Sequence, residues 1–339
     1  MDVASTIAAD PSPRLAPVAL GRAVVGALIV VAVVAPWTLY ANALQLGVQF
    51  LCLLTVALMW NLLAGYADIL SLGQHMFVGV GAYACYGFVR DGVMAPQVAV
   101  PLAGAIALAA AVPVTFVVFR LRAAYLAVGT WVVAEVFMLV AGRIPGFGLG
   151  TGTSLPLAAA RAMGRTADSR AVSIYLLALG VCALAWVGSW LLLRSRHGLA
   201  LMAVRDNEEA ASSLGVNLLR TRIGVFLWTT PFLGMIGAIA ALQKMRISPP
   251  ASFGFLDWTV YVIFVVVIGG IGSFEGPLIG TVVYFGLRQM LGDYGTWYLI
   301  LLGALSVAVM LVEPRGLWAL LRRWIGRDII PIAHGVPRL

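Results

Sequence analysis

Six ionisable side chains interrupt stretches that are otherwise apolar: Asp68, His75, Glu135, Glu275, Arg288 and Asp293. A charge held among apolar residues is costly, so each is a candidate for a polar path or a gate. The competing role is an interhelical polar contact that fixes packing. For Asp68 and Glu275, which could reach an interface, packing is the expected role; Glu135 is open to both. A proton-coupled carrier would want more acidic or histidine groups at mid-membrane than this chain supplies. Enzyme chemistries fare worse. Lys244 is the only lysine and follows Gln243, so no GxxxxGK[ST] phosphate loop exists, and ATP cannot be used by that route. His75, His197 and His334 stand alone, and no serine lies in a GxSxG elbow. Cys52, Cys85 and Cys182 lie in apolar runs without CxxC spacing, as core residues do. Catalytic and metal-ligating residues are therefore expected to be none.

What remains is the segment 194–222, RSRHGLALMAVRDNEEAASSLGVNLLRTR. It carries five basic and three acidic residues of a chain with 22 basic and 14 acidic in all. Asp206 or Asn207 can cap a helix through a side-chain oxygen, and Glu208 and Glu209 suit the positive end of its dipole. Ala210, Ala211, Ser212 and Ser213 keep a face small, and Gly215 is a natural left-handed stop. The expected product is a helix of about two turns over 206–215. Its apolar content is too low for strong seating on lipid, so the segment is read as a docking element for another protein.

The elements that hold these residues must be membrane helices. Of 339 residues, 62% are hydrophobic and only 11% charged, against about 25% charged in soluble domains. Runs such as 24–35 and 261–268 are apolar on every side, which excludes the alternation of a transmembrane barrel. The expected fold is therefore all-α, a polytopic integral membrane protein. At about 20 residues per span, about ten transmembrane helices are expected, near 23–40, 45–63, 70–89, 97–119, 123–141, 172–193, 223–242, 258–274, 277–291 and 295–312. The first, behind Arg14 and Arg22, is longer than a signal-peptide core and is expected to stay uncleaved.

The net charge of +8 fits the excess of basic residues on cytoplasmic loops, and no basic patch suggests nucleic acid. Arg14 and Arg22, Arg120 and Arg122, the arginines of 194–222, and Arg315, Arg322, Arg323 and Arg327 then share the cytoplasmic side with both termini. The segment 142–171, with Arg143, Arg161, Arg165 and Arg170, falls on the outer side, where loops of its length are translocated despite charge. Two segments are rich in glycine: GYADILSLGQHMFVGVGAY at 65–83 and GGIGSFEGPLIGTVVY at 269–284. Such segments form either broken helices along a pathway or close helix contacts. On the first of these readings the pathway candidates are Ser71, Gly73, Gln74, His75, Glu135, Gly269, Gly270 and Gly272.

Four blocks, in order, resemble one known family. They are NLLAGYADILSLGQHMFVGVGAY (61–83), YLAVGTWVVAEV (125–136), GLALMAVRDNEEAASSLGVN (198–217) and ISPPASFGF with VVVIGGIGSFEGPLIG (247–280). Together they resemble the LivM-type permeases of the branched-chain amino acid importers, and Glu209-Ala210-Ala211 with Gly215 resembles the EAA…G signature of ABC importer permeases. The resemblance implies a permease domain over 23–312, between a cytoplasmic tail at 1–22 and another at 313–339. It implies an inner-membrane location and partners: a homologous permease subunit in a heterodimer, two cytoplasmic ABC ATPase subunits and an extracytoplasmic substrate-binding protein. ATP and Mg would be bound by those ATPases, and this chain would hold no cofactor. Arg205, Asp206, Glu208, Glu209, Ala210 and Gly215 would form the contact that couples the ATPases to the spans. Gln74-His75 and Asp68 depart from the common pattern of the first block. The family extends to permeases for urea, short amides and aromatic acids, so the cargo stays open. An ion- or proton-coupled secondary transporter is the alternative.

Overall fold

Backbone N–H and C=O groups in an apolar layer must bond within their own segment, and the chain answers that demand with helices almost throughout. The computed structural model describes Gly26 and residues 30–92, 94–121 and 124–325. The expected N-terminal tail with Arg14 and Arg22, much of the 23–40 span, Arg122, Arg327 and the C-terminal tail past 325 lie outside the described residues.

The helices are α1 (30–38), α2 (Ala41–Asn61, extended by a π-helical turn Leu62–Tyr66), α3 (His75–Arg90), α4 (Pro96–Val118), α5 (Ala124–Ala141), α6 (Leu157–Met163) and α7 (Ala167–Arg194). Then come α8 (Arg196–Asp206), α9 (Glu208–Ser213), α10 (Leu218–Lys244), α11 (Pro249–Ser252), a π-helical turn Leu256–Val260, α12 (Tyr261–Gly269), α13 (Gly276–Leu291), α14 (Thr296–Val312) and α15 (Gly316–Ile325). Six described helices or helix runs are long and apolar enough to cross a membrane, and the bent pair formed by α14 and α15 makes a seventh. The spans expected at 70–89 and 277–291 differ most from this. Their helices, α3 and α13, have 16 residues each, about 24 Å at 1.5 Å per residue, short of the roughly 30 Å hydrocarbon core.

Two faces of the molecule follow from the pairing of the elements. The short strands β1 (Thr153–Ser154) and β2 (Arg246–Ile247) pair antiparallel, Thr153 with Ile247 and Ser154 with Arg246. This joins the 142–171 segment to the end of α10, opposite the α8–α9 loop at the start of α10. Arg90 at the end of α3 donates to the Gly146 carbonyl at 3.3 Å, so α3 also ends on that far face. Its guanidinium bonds to Asp91 and holds that carboxyl below its ordinary range. The arginine-rich 142–171 segment thus lies across the bundle from 194–222.

At the centre stand α2 and α10. The apolar stretches of Ala41–Tyr66 and Leu218–Lys244 are each 78% buried, while that of α5 is 22% buried. Helices apolar all round that are little buried within the protein face lipid or another apolar partner. Glycine brings α10 against α3 and α4. A Cβ at Gly81 would collide with the Gly234 carbonyl, and one at Gly237 with the Val78 carbonyl. Small residues replace solvent-driven burial as the means of association in lipid, because dispersion contacts rise as backbones approach.

That contact yields a testable expectation. Gly237→Ala should lower stability by about 1–3 kcal/mol, the usual range for overpacking, read as a fall in the melting temperature of the detergent-solubilised chain. Gly286→Ala, where an added Cβ meets nothing within 4 Å, should leave that temperature unchanged or slightly higher.

Candidate functional site

The docking segment is built as two consecutive helices, where one was expected. Ser195 caps α8, its Oγ accepting from the His197 N–H at 3.2 Å. Of the two expected caps for the next helix, Asn207 takes the role: its Oδ1 accepts from the Ala210 N–H at 3.0 Å. Asp206 instead ends α8, paired with Arg205. Glu208 and Glu209 occupy the first turn of α9, and Gly215 takes the left-handed backbone at φ +86°. Asn217 caps α10 in the same manner, at 3.0 Å from the Arg220 N–H, and Arg222 pairs with Glu208. Leu201 and Val204 of α8 and Ala211 of α9 are buried against the bundle. Outward, α9 and its C-terminal turn present Glu209, Ala210, Ser212 and Leu214, with Leu214 84% exposed.

Arg205, exposed and paired with Asp206, also reaches into the bundle. Its Nη1 donates to the Gly65 carbonyl at 3.3 Å, and its guanidinium carbon lies 6.0 Å from the centre of the Tyr66 ring. Gly65 and Tyr66 form the last turn of α2, where the helix loosens into π geometry before 67–74 runs without helix. The second glycine-rich segment meets the same point. Asn61 Nδ2 donates to the Ser273 carbonyl at 2.8 Å, and Asn61 Oδ1 accepts from the Gly272 N–H at 2.8 Å. Gly270 (φ +124°) and Gly272 (φ +76°) shape this turn, and a side chain at Gly272 would press on the Gly65 carbonyl at 3.0 Å. Gly269 packs on the Gly276 backbone and Gly270 on Gly316. The three glycines proposed for a pathway thus build a close-packed turn, and Asn61 and Tyr66, unremarked in the sequence, are its partners.

A second polar group lies where 67–74 crosses α5 and the π turn 256–260. His75 Nδ1 is 3.0 Å from Thr259 Oγ1, whose hydroxyl donates to the Leu72 carbonyl at 3.3 Å. With its proton committed to Leu72, Thr259 accepts from His75 Nδ1–H. That leaves Nε2 as the free ring nitrogen, 4.0 Å from Glu135 Oε1. Trp131 Nε1 donates to the same oxygen at 3.1 Å, and the Leu72 N–H donates to Thr130 Oγ1 at 3.0 Å. A Cβ at Gly73 would strike the Thr130 carbonyl. Ser71 Oγ, both amide atoms of Gln74 and His75 Nε2 are buried without a protein hydrogen-bond partner. Each such group costs about 1–3 kcal/mol if left unmet, so their concentration marks this spot out from the surrounding apolar packing. Ser71, Gly73, Gln74, His75 and Glu135 are therefore brought together. Thr130, Trp131 and Thr259 complete the group; only their hydroxyls and indole N–H among apolar neighbours could have signalled it. Among the described residues no cluster of metal-ligating side chains occurs.

Over residues 42–312 the chain matches the family described as branched-chain amino acid transport system, permease component. It is 28% identical over 318 residues to the high-affinity branched-chain amino acid transport system permease protein LivM of Salmonella typhimurium, a match covering 87% of this chain and 74% of that protein. The LivM protein of Escherichia coli is 27% identical over the same length. A probable branched-chain amino acid transport permease protein LivM of Methanocaldococcus jannaschii is 25% identical over 140 residues, 37% of this chain and 40% of that one. No solved structure matches the chain significantly.

The Asn61 bridge can be tested directly. Asn61→Ala orphans the Gly272 N–H and the Ser273 carbonyl and should destabilise the chain by roughly 2–4 kcal/mol. Asn61→Asp keeps the acceptor for Gly272 but loses the donor to Ser273, and should fall between the two. Thermal unfolding in detergent, followed by the accessibility of a cysteine placed at Ser273, reads both.

Proposed function

Because the chain belongs to the family of branched-chain amino acid transport system permease components, we propose that it is the translocation subunit of an ATP-driven importer for such amino acids, and that α8 and α9 dock on a partner ATPase. In this reading the α8–α9 face is cytoplasmic, as the arginine-rich 194–222 segment favours. The far face, with 142–171 and 243–257, meets an extracytoplasmic binding protein. A homologous permease subunit completes the pathway, and two ATPase subunits supply ATP and Mg. The chain itself performs no catalysis. It is a multi-pass protein of the inner membrane, and the related amides, urea and aromatic acids remain within its possible range of cargo.

The observation that carries this reading is the bond from Arg205 to the Gly65 carbonyl. It ties the end of α8, beside the exposed helix α9, to the loosened end of the central helix α2. From there Asn61 continues to the glycine turn before α13. A push on α9 is thereby delivered to both breaks at once. Such an element converts an ATPase movement into a rearrangement of broken helices, the pattern of alternating access. Glu209, Ala210 and Gly215 serve contact with the ATPase, Asp206 and Glu208 orient the arginines, and Arg205 transmits.

Three variants separate these roles in the assembled transporter. Glu209→Arg and Gly215→Pro should each abolish most ATPase capture in a pull-down and most leucine uptake. Arg205→Gln should keep ATPase capture and hydrolysis while uptake drops about tenfold, an uncoupled phenotype. Normal capture and uptake in both docking variants would show the docking role to be wrong. Gradient-driven uptake in vesicles without ATPase subunits would instead establish a secondary transporter, with the Glu135–His75 pair as its proton carrier.

A further inference from the structure

On the far face a cavity of about 280 Å³ opens between α2, the end of α10, the π turn 256–260 and α13. Two cations and one anion line it: Lys244, the only lysine of the chain, Arg288 and Asp257. The remaining wall is aromatic, with the rings of Tyr261 and Tyr284 at 5.3 Å and Phe285 beside Tyr284 at 5.7 Å. Among the described residues neither Lys244 nor Asp257 makes a hydrogen bond or an ion pair. Arg288 reaches only the amide oxygen of Gln49, at 3.3 Å, and lies 6.0 Å over the Phe285 ring. Opposite charges that share one recess would gain by pairing with each other, yet these do not. Snorkelling of a lysine at a helix end explains Lys244 alone, but not the convergence of all three on one aromatic-walled cavity.

We propose that this cavity is a receiving site for the zwitterionic head of a free α-amino acid. The carboxylate lies between Lys244 and Arg288, the ammonium faces Asp257, and an aliphatic side chain rests on Tyr261, Tyr284 and Phe285. Its volume falls just under the 300–1,000 Å³ of sites for drug-sized ligands, a scale suited to one amino acid. The assignment rests on the reading of the chain as an amino-acid permease, and it adds a first stop for cargo on the side where a binding protein releases it. The buried His75 group meets the same π turn through Thr259, but its residues are distinct from those that line this cavity.

Binding of radiolabelled L-leucine to the full chain in lipid nanodiscs, without any binding protein, tests the site. Leucinamide, which lacks the carboxylate, and 4-methylpentanoate, which lacks the ammonium, serve as competitors. Lys244→Gln and Arg288→Gln should each weaken leucine about tenfold or more, the loss expected for a charge-assisted bond, and should leave leucinamide competition unchanged. Asp257→Asn should weaken leucine equally and leave 4-methylpentanoate unchanged. A variant that merely misfolds would lose all three ligands together, and that result for every variant would overturn the assignment. So would wild-type leucine affinity in all three variants, while leucine uptake by the assembled transporter would still uphold the permease reading. Absence of branched-chain amino acid uptake by the assembled wild type would overturn the permease reading itself.

Discussion

A helix that stops inside an apolar layer leaves carbonyls and N–H groups without partners, and no water is there to take them. The junction at Asn61 answers that constraint for two stops at once. One side-chain amide satisfies a donor and an acceptor of the 270–275 turn. Arg205 satisfies the Gly65 carbonyl of the α2 end from outside. Either break alone would leave those backbone groups without a partner in the protein. Together they form one closed set of bonds, which joins the end of α8 to the breaks in two spans.

Glycine makes the closure possible, for reasons of space more than of conformational freedom. Only Gly270 and Gly272 in the turn need the left-handed backbone. Gly65, Gly269 and Gly276 are there because a Cβ would enter a neighbouring backbone. The same economy holds α10 to α3 and α4 through Gly81, Gly234 and Gly237. The two long, deeply buried helices are thus clamped at several depths, whereas α5 leaves most of its surface open. The centre is therefore tightly packed and the flanks are loosely held.

Much of this was legible in the residue order, and what was not has a common cause. Caps and stops read well because they are local: Asn207 and Gly215 act on neighbours within one turn. Long apolar runs placed α4, α5, α7 and α10 closely for the same reason. The 70–89 span read less well, since 67–74 carries apolar residues like the helix after it, and a left-handed Asp68 with tertiary bonds from Thr130, Trp60 and Thr259 holds the former out of a helix. Helix α8 was missed because its mixed polar sequence has no apolar stripe, and packing of Leu201 and Val204 decides it. Asn61 and Thr259 were missed because one polar atom in an apolar run says nothing of a partner some two hundred positions away. The two glycine segments were each recognised, but their meeting is a long-range fact that no local pattern encodes.

The distribution of unmet polar groups separates two neighbouring regions of the chain. At the Asn61 junction every polar atom named has its partner, so that region is suited to transmit force and ill suited to hold a guest. Around His75, four buried polar atoms on Ser71, Gln74 and His75 have none within the protein. Loss of several such bonds would be selected against in a purely structural contact. An amino acid carries an ammonium, a carboxylate and little else that is polar, and so can meet donors and acceptors in turn as it moves. The closed junction and the open polar group lie a few residues apart on the same stretch, 61–75. Gly65, bonded by Arg205, and the unpartnered atoms of Gln74 and His75 thus belong to one short continuous segment.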